Sequence, residues 1–131
     1  MQIIRTAEDF ARLLATHADP DLRSLLKAQA DRLTAYVDYD LSELAMFAIV
    51  EPGDDLNSID SAIGWSLLDG DTFSRPVEII TQVRGWYEVT FILSDDGFGL
   101  VLYVPDIDGT NRQLLAACEQ ALSERQETRS T

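Results

Sequence analysis

Two carboxylates one residue apart follow a strongly apolar run. Leu100-Val101-Leu102-Tyr103-Val104 leads through Pro105 into Asp106-Ile107-Asp108-Gly109-Thr110. At a strand end, two such carboxylates can divide chemical labour between them. The same residue types also make a turn and a helix start. Asp106 and Asp108 then supply side-chain turn bonds, Gly109 the left-handed position and Thr110 or Asn111 the cap. A calcium loop is a third use of this spacing and it fails. Such a loop needs Gly at position six and a bidentate Glu at position twelve, and counting from Asp106 these are Asn111 and Ala117.

The apolar strand with Asp-x-Asp-Gly-Thr resembles the first motif of haloacid-dehalogenase-type phosphatases. That resemblance implies Asp106 as nucleophile, Asp108 as general acid and Mg²⁺ nearby. The chain departs from the family in two respects. Only 21 residues follow Thr110, so the downstream motifs have no room, and Pro105 separates the strand from Asp106.

The remaining reactive residue types are sparse. Asp54-Asp55 and Asp95-Asp96 are paired carboxylates that could converge with Asp60, Asp69 or Asp71 on a hard cation, but no spacing among them specifies one. His17 is the one histidine, placed where helix 1 should end, and a cation suits the negative end of a helix. Cys118 is the one cysteine. It falls at helical spacing with Leu114, Leu115 and Leu122, which makes it a core thiol rather than a nucleophile. With one His and one Cys, the common zinc sites have no ligand set. Gly97-Phe98-Gly99 lacks the Lys and helix of a phosphate loop and reads as a hairpin turn. The residues therefore point to no cofactor, no metal and no catalytic group.

The elements that must position these residues follow from periodicity and punctuation. Thr6 caps a first helix with Asp9 three residues on, and Phe10, Leu13 and Leu14 form its stripe. Asp19-Pro20 pairs an N-cap residue with proline at the first helical position and opens a second helix over about 20–37. The apolar run 44–50 reads as a buried strand ending at Pro52-Gly53. Asp54 or Asp55 then caps a third helix that ends at Gly64. Strands are expected over 77–83, 87–93 and 98–104, the last two joined by Ser94-Asp95-Asp96-Gly97 as a hairpin. A last helix should run from 110 or 111 to about 127, with the tail 124–131 fraying. The order α-α-β-α-β-β-β-α predicts an α+β fold, with helices on one face of a small, mostly antiparallel sheet of three or four strands.

A length of 131 residues, with 46% hydrophobic and 25% charged, describes one globular domain. No basic start precedes an apolar h-region, and no apolar run nears the roughly 18 residues that span a bilayer. With a single cysteine, this places the chain in bacterial-type cytoplasm. The charge is uneven. Residues 33–111 carry fifteen acids against two bases, Arg75 and Arg84, while eight acids balance eight bases elsewhere, so the net −13 belongs to the middle. That field repels phosphates, which argues against direct nucleic-acid binding and against anionic membranes.

The whole chain resembles small uncharacterised acidic bacterial proteins associated with mobile elements. The residues carrying the resemblance are Arg5-Thr6-Ala7-Glu8-Asp9-Phe10, His17-Ala18-Asp19-Pro20-Asp21-Leu22, Ile49-Val50-Glu51-Pro52-Gly53-Asp54, and Gly85-Trp86-Tyr87-Glu88 leading to Leu93-Ser94-Asp95-Asp96-Gly97-Phe98-Gly99. It implies a free-standing bacterial domain and brings no established activity or catalytic residue.

Three functions remain in play. The first is a non-catalytic module docking on a basic partner protein, such as a nuclease or another nucleic-acid enzyme, its carboxylates taking the places of phosphates. An anti-defence protein or an immunity protein would work this way. Its candidate contacts are Asp38, Asp40, Glu43, Asp54, Asp55, Asp60, Asp69 and Asp71, a run without Lys or Arg. Trp86 and Phe98 join them as aromatic anchors if left exposed, and as core if not. The second function is an accessory or structural subunit binding through an apolar hairpin face. The third is a small Mg-dependent phosphatase using Asp106 and Asp108.

Overall fold

The computed structural model describes residues 2–35, 38, 41–64, 77–92, 99–106 and 111–129. A three-residue strand β1 (Gln2–Ile4) is followed by α1 (Ala7–Thr16), α2 (Pro20–Thr34) and a single turn α3 (Leu41–Leu44). Next come β2 (Ala45–Ile49), α4 (Leu56–Ile63), β3 (Val77–Val83), β4 (Trp86–Ile92), β5 (Gly99–Pro105) and α5 (Arg112–Arg129). The expected order is present, with β1 and α3 added. The turn 94–97 of the expected hairpin lies outside the described residues, and its two strands pair antiparallel, Glu88 facing Tyr103.

The helices form where the caps place them. Thr6 Oγ1 accepts the Asp9 N–H at 3.0 Å, and Asp19 Oδ1 accepts the Asp21 and Leu22 N–H groups at 2.9 and 3.4 Å. Asp55 and Ser58 complete a capping box on α4, which ends at left-handed Gly64 (φ +92°). Each cap satisfies amides that the first helical turn leaves without a partner.

The sheet corrects the expectation in three respects. Among the described residues it has five strands rather than three or four, in the order β1-β2-β5-β4-β3. It is mixed: β2 and β5 run parallel at its centre, and the other pairings are antiparallel. Its helices cover both faces rather than one. On the first face, Met46, Ala48, Val89, Phe91, Leu100, Leu102 and Val104 pack with Ile59 and Ile63 of α4 and Leu114 and Cys118 of α5. On the second, Ala45, Phe47, Ile49, Val101 and Tyr103 pack with Phe10 and Leu13 of α1 and Leu22 and Leu26 of α2. Alternate residues of β2 and β5 thus serve opposite cores, so both strands are apolar throughout. The parallel pairing is possible because α4 and the β3–β4 hairpin lie between β2 and β5, and parallel neighbours need a long connection. Among the described residues, no helix is long and apolar enough to cross a membrane.

Candidate functional site

Because β2 and β5 are parallel, the segments that follow them leave the sheet at the same end. Val50 donates its N–H to the Tyr103 carbonyl at 2.9 Å, and the chain then folds into a tight acidic turn. Asp54 donates its N–H to the Glu51 carbonyl (3.1 Å), while its Oδ2 accepts the Glu51 N–H (2.9 Å). Gly53 holds φ +93° here, a value that a side-chain-bearing residue adopts at a cost. Asn111, 3% exposed, ties the turn to the start of α5: its Oδ1 accepts the Gly53 N–H (3.1 Å) and its Nδ2 donates to the Glu51 carbonyl (3.4 Å).

Asp106 follows β5 at the same end and is exposed. Its N–H donates to the Gly85 carbonyl at 2.8 Å, and its carboxylate accepts the Gln82 side-chain amide. Trp86 pairs with Pro105 in the sheet, so the start of β4 lies here too. Its indole Nε1 donates to Asp19 Oδ2 at 2.9 Å, which brings in the first turn of α2. Arg84, in the two-residue β3–β4 turn with φ +53°, lies 3.8 Å from Asp21. The carboxyl end of the parallel pair thus gathers Asp19, Asp21, Glu51, Asp54, Asp55 and Asp106. Arg23, Arg84 and Arg112 are cations placed at this end, Arg84 lying 3.8 Å from Asp21.

The expected contacts divide between locations. Asp54 and Asp55 stand at this end, but both hold backbone: Asp55 Oδ1 accepts the Ser58 N–H (2.9 Å) and its hydroxyl (3.0 Å). Partial burial pushes the Asp54 carboxyl up, and the Glu51 N–H is among the bonds that more than offset it, so its pKa falls below the ordinary value. The bonds from Ser58 lower that of Asp55. Asp60 is half-buried on α4. Asp38 and Glu43 are exposed but precede β2, so they lie at the opposite end of the sheet. Five residues of strand, roughly 16 Å at 3.3 Å per residue, separate them from Glu51. Asp40, Asp69, Asp71, Phe98 and Asp108 lie outside the described residues. Trp86 is 9% exposed and bonded to Asp19, so it belongs to the interior and not to a docking surface.

The other chemical readings meet the same geometry. Among the described residues, no group of three His, Cys, Asp or Glu side chains stands close enough to hold a metal. The apolar face of the β4–β5 hairpin is taken up by the chain's own α4 and α5. On the opposite face the Tyr103 hydroxyl, in a fully buried side chain, donates to Oε2 of half-buried Glu88 at 2.9 Å. Burial and then the Glu88 charge push the phenol pKa far above its ordinary value, so the group stays protonated. Sequence reasoning overlooked Glu51, Asp21 and Asn111. Of these, Asn111 left a trace, as a helix-cap residue type, while its partners Gly53 and Glu51 are nearly sixty residues away.

No protein-family model, no curated protein and no solved structure matches the chain.

Proposed function

We propose that this protein is a non-catalytic binding module of the bacterial cytoplasm that docks on a basic partner protein through the acidic end of its sheet and the adjoining α4. The observation that carries this reading is the convergence of Glu51, Asp54, Asp55 and Asp106 where β2 and β5 end, with Asp60 on the helix that follows. The turn is held from three sides, by Asp54, Asn111 and the α4 cap. A rigid acidic surface loses little freedom on binding, which favours affinity, and its field speeds the approach of a cationic partner. Carboxylates fixed in this way can occupy the phosphate positions of a nucleic-acid enzyme, the action of an anti-defence or immunity protein.

Affinity capture from a native lysate, at low and at high salt, tests the reading. A basic protein should be retained at low salt and released at high salt, since exposed charge pairs are screened within about 10 Å at ordinary ionic strength. Glu51→Lys combined with Asp60→Lys should abolish retention. Glu43→Lys, at the far end of the sheet, should leave it nearly unchanged. Retention that ignores salt and survives the double reversal rejects the proposal.

A further inference from the structure

We infer that β3 is an interface between two copies of this chain: its outer edge pairs antiparallel with the β3 of a second copy about a two-fold axis, joining the two sheets into one. β3 stands at one end of the strand order, and among the described residues nothing pairs with its outer side. The sheet's other edge, β1, is three residues long, whereas β3 runs for seven. Proteins blunt such edges with proline, lysine, a bulge or brevity. Val77–Val83 contains neither proline nor lysine. Its one charge, Glu78, falls at the irregularity between Val77 and Ile79, and the stretch from Ile79 to Val83 is uncharged and in regular register with β4.

The turn fixes which backbone groups are available. Arg84 and Gly85 have φ +53° and +86°, the paired left-handed values of a two-residue hairpin. Val83 and Trp86, which flank it, therefore exchange hydrogen bonds, and bonding alternates from there. Thr81 also bonds inward to β4, while Ile80 and Gln82 turn their N–H and carbonyl groups outward. The same parity holds across β4, where the Gly85 carbonyl accepts the Asp106 N–H from the β5 side. Outward groups at every second residue are what an added strand engages.

The sequence decides which strand. Pairing Ile80 with Gln82 of a second copy engages both residues, and the two-fold axis then passes through Thr81. This register sets Thr81 opposite Thr81, Ile79 opposite Val83 and Glu78 opposite Arg84 of the second copy. Threonine pairs and opposite charges are favourable cross-strand neighbours. Arg84 is one of two bases between residues 33 and 111, and sliding the copies by one bonding step sets Glu78 opposite Gln82 or Trp86 instead. The Arg84 guanidinium is exposed and only loosely held by Asp21, at 3.8 Å. Such a contact is the same on both copies and closes on itself, giving a dimer rather than a fibre. Each copy carries a net −13, so approach is opposed by a repulsion that salt screens. The dimer therefore tightens as salt rises, the reverse of docking on a basic partner, and the two proposals fail separately.

Sedimentation velocity of the full chain, over a concentration series at low and at high salt, should show a monomer–dimer equilibrium that moves toward dimer with salt. Ile80→Pro removes an outward donor, leaves the β4 ladder its bonds and should give a monomer. Arg84→Glu should weaken association about tenfold, as two cross-strand pairs turn from opposite to like charge, and adding Glu78→Arg should restore it. A wild-type chain that stays monomeric throughout the series overturns the proposal, as does a dimer left unchanged by both Ile80→Pro and Arg84→Glu. Should the proline variant not fold, the charge reversal and its rescue decide.

Discussion

The two faces of the sheet are built on different terms. Under α4 and α5 the core is apolar, from Met46 and Phe91 to Leu114 and Cys118. Under α1 and α2 comparable aliphatic and aromatic packing is joined by polar ties: Tyr103 to Glu88, and Trp86 to Asp19. Apolar packing has no preferred direction, whereas a hydrogen bond fixes one. On the first face, hydrogen bonds to the helices lie at their ends, between Arg5 and the Ala62 carbonyl and between Asn111 and both Gly53 and Glu51; on the second, Trp86 to Asp19 also fixes where the α1–α2 hairpin sits along the strands.

The contrast can be broken most easily at Cys118. Burial pushes its thiol from 9.0 up to about 12, a drop in thiolate at neutral pH of about a thousandfold at tenfold per unit. Reaction with a thiol reagent should be slower by that order in the native chain than in denaturant. Fast native labelling would mean that the α4/α5 core is open.

Truncating an aromatic on each face comes next. Phe91→Ala on the α4/α5 side and Phe47→Ala on the α1/α2 side should each cost about 3–5 kcal/mol in denaturant unfolding, since both side chains are fully buried. A loss below about 1 kcal/mol at Phe47 would mark the α1–α2 layer as peripheral.

The polar ties should separate the faces at smaller scale. Glu88→Ala leaves the Tyr103 hydroxyl buried without its acceptor and should cost about 1–2 kcal/mol. Adding Tyr103→Phe should recover part of that loss in a double-mutant cycle. Asp19→Ala removes both the α2 cap and the indole acceptor and should cost about 1 kcal/mol. The pH dependence has a fixed sign. A carboxyl whose folded pKa is depressed contributes stability in full above its unfolded value, here about 3.8, and loses it as pH falls through the lower folded value. Asp19→Asn should therefore flatten the acid limb of the stability profile below pH 3.8.

At the bottom of the scale lies Arg12. Its contacts to Glu8 and Asp9, at 3.4 and 3.5 Å, join side chains 64%, 85% and 44% exposed. Arg12→Ala should shift the unfolding midpoint by less than about 0.5 kcal/mol.

Local order was legible where short-range chemistry specifies it. Thr6, Asp19-Pro20 and the Asp55 to Gly64 span each announce a helix boundary, because a cap is settled by residues within one turn. The apolar runs 44–50 and 100–104 were read as strands, and their lack of alternation is the mark of strands buried on both faces. That mark was present, and the expectation of a one-sided sheet missed it. Strand β1 was not legible, since three residues carry too little pattern, and its place comes only from Gln2 to Ile4 pairing with Ile49 to Phe47.

The acidic middle shows the same division. Its composition is plain in the chain, but its arrangement is not. Asp38 and Glu43 went to one end of β2 while Glu51, Asp54 and Asp55 went to the other, because a strand carries its two ends apart. Asp106 joined the second group because β5 runs parallel to β2, an outcome of a crossover more than forty residues long that no local spacing encodes.

The amino-acid sequence by itself determined the helix caps, the strand runs, the charge and the poverty of catalytic groups, all of which depend on neighbours along the chain. Only the tertiary structure decided that the sheet is sandwiched, that Trp86 turns inward to Asp19 and that Asn111 grips the turn at Gly53. Those contacts join residues 58 to 67 positions apart, and they are settled by which surfaces can be buried together rather than by any preference of the residues themselves.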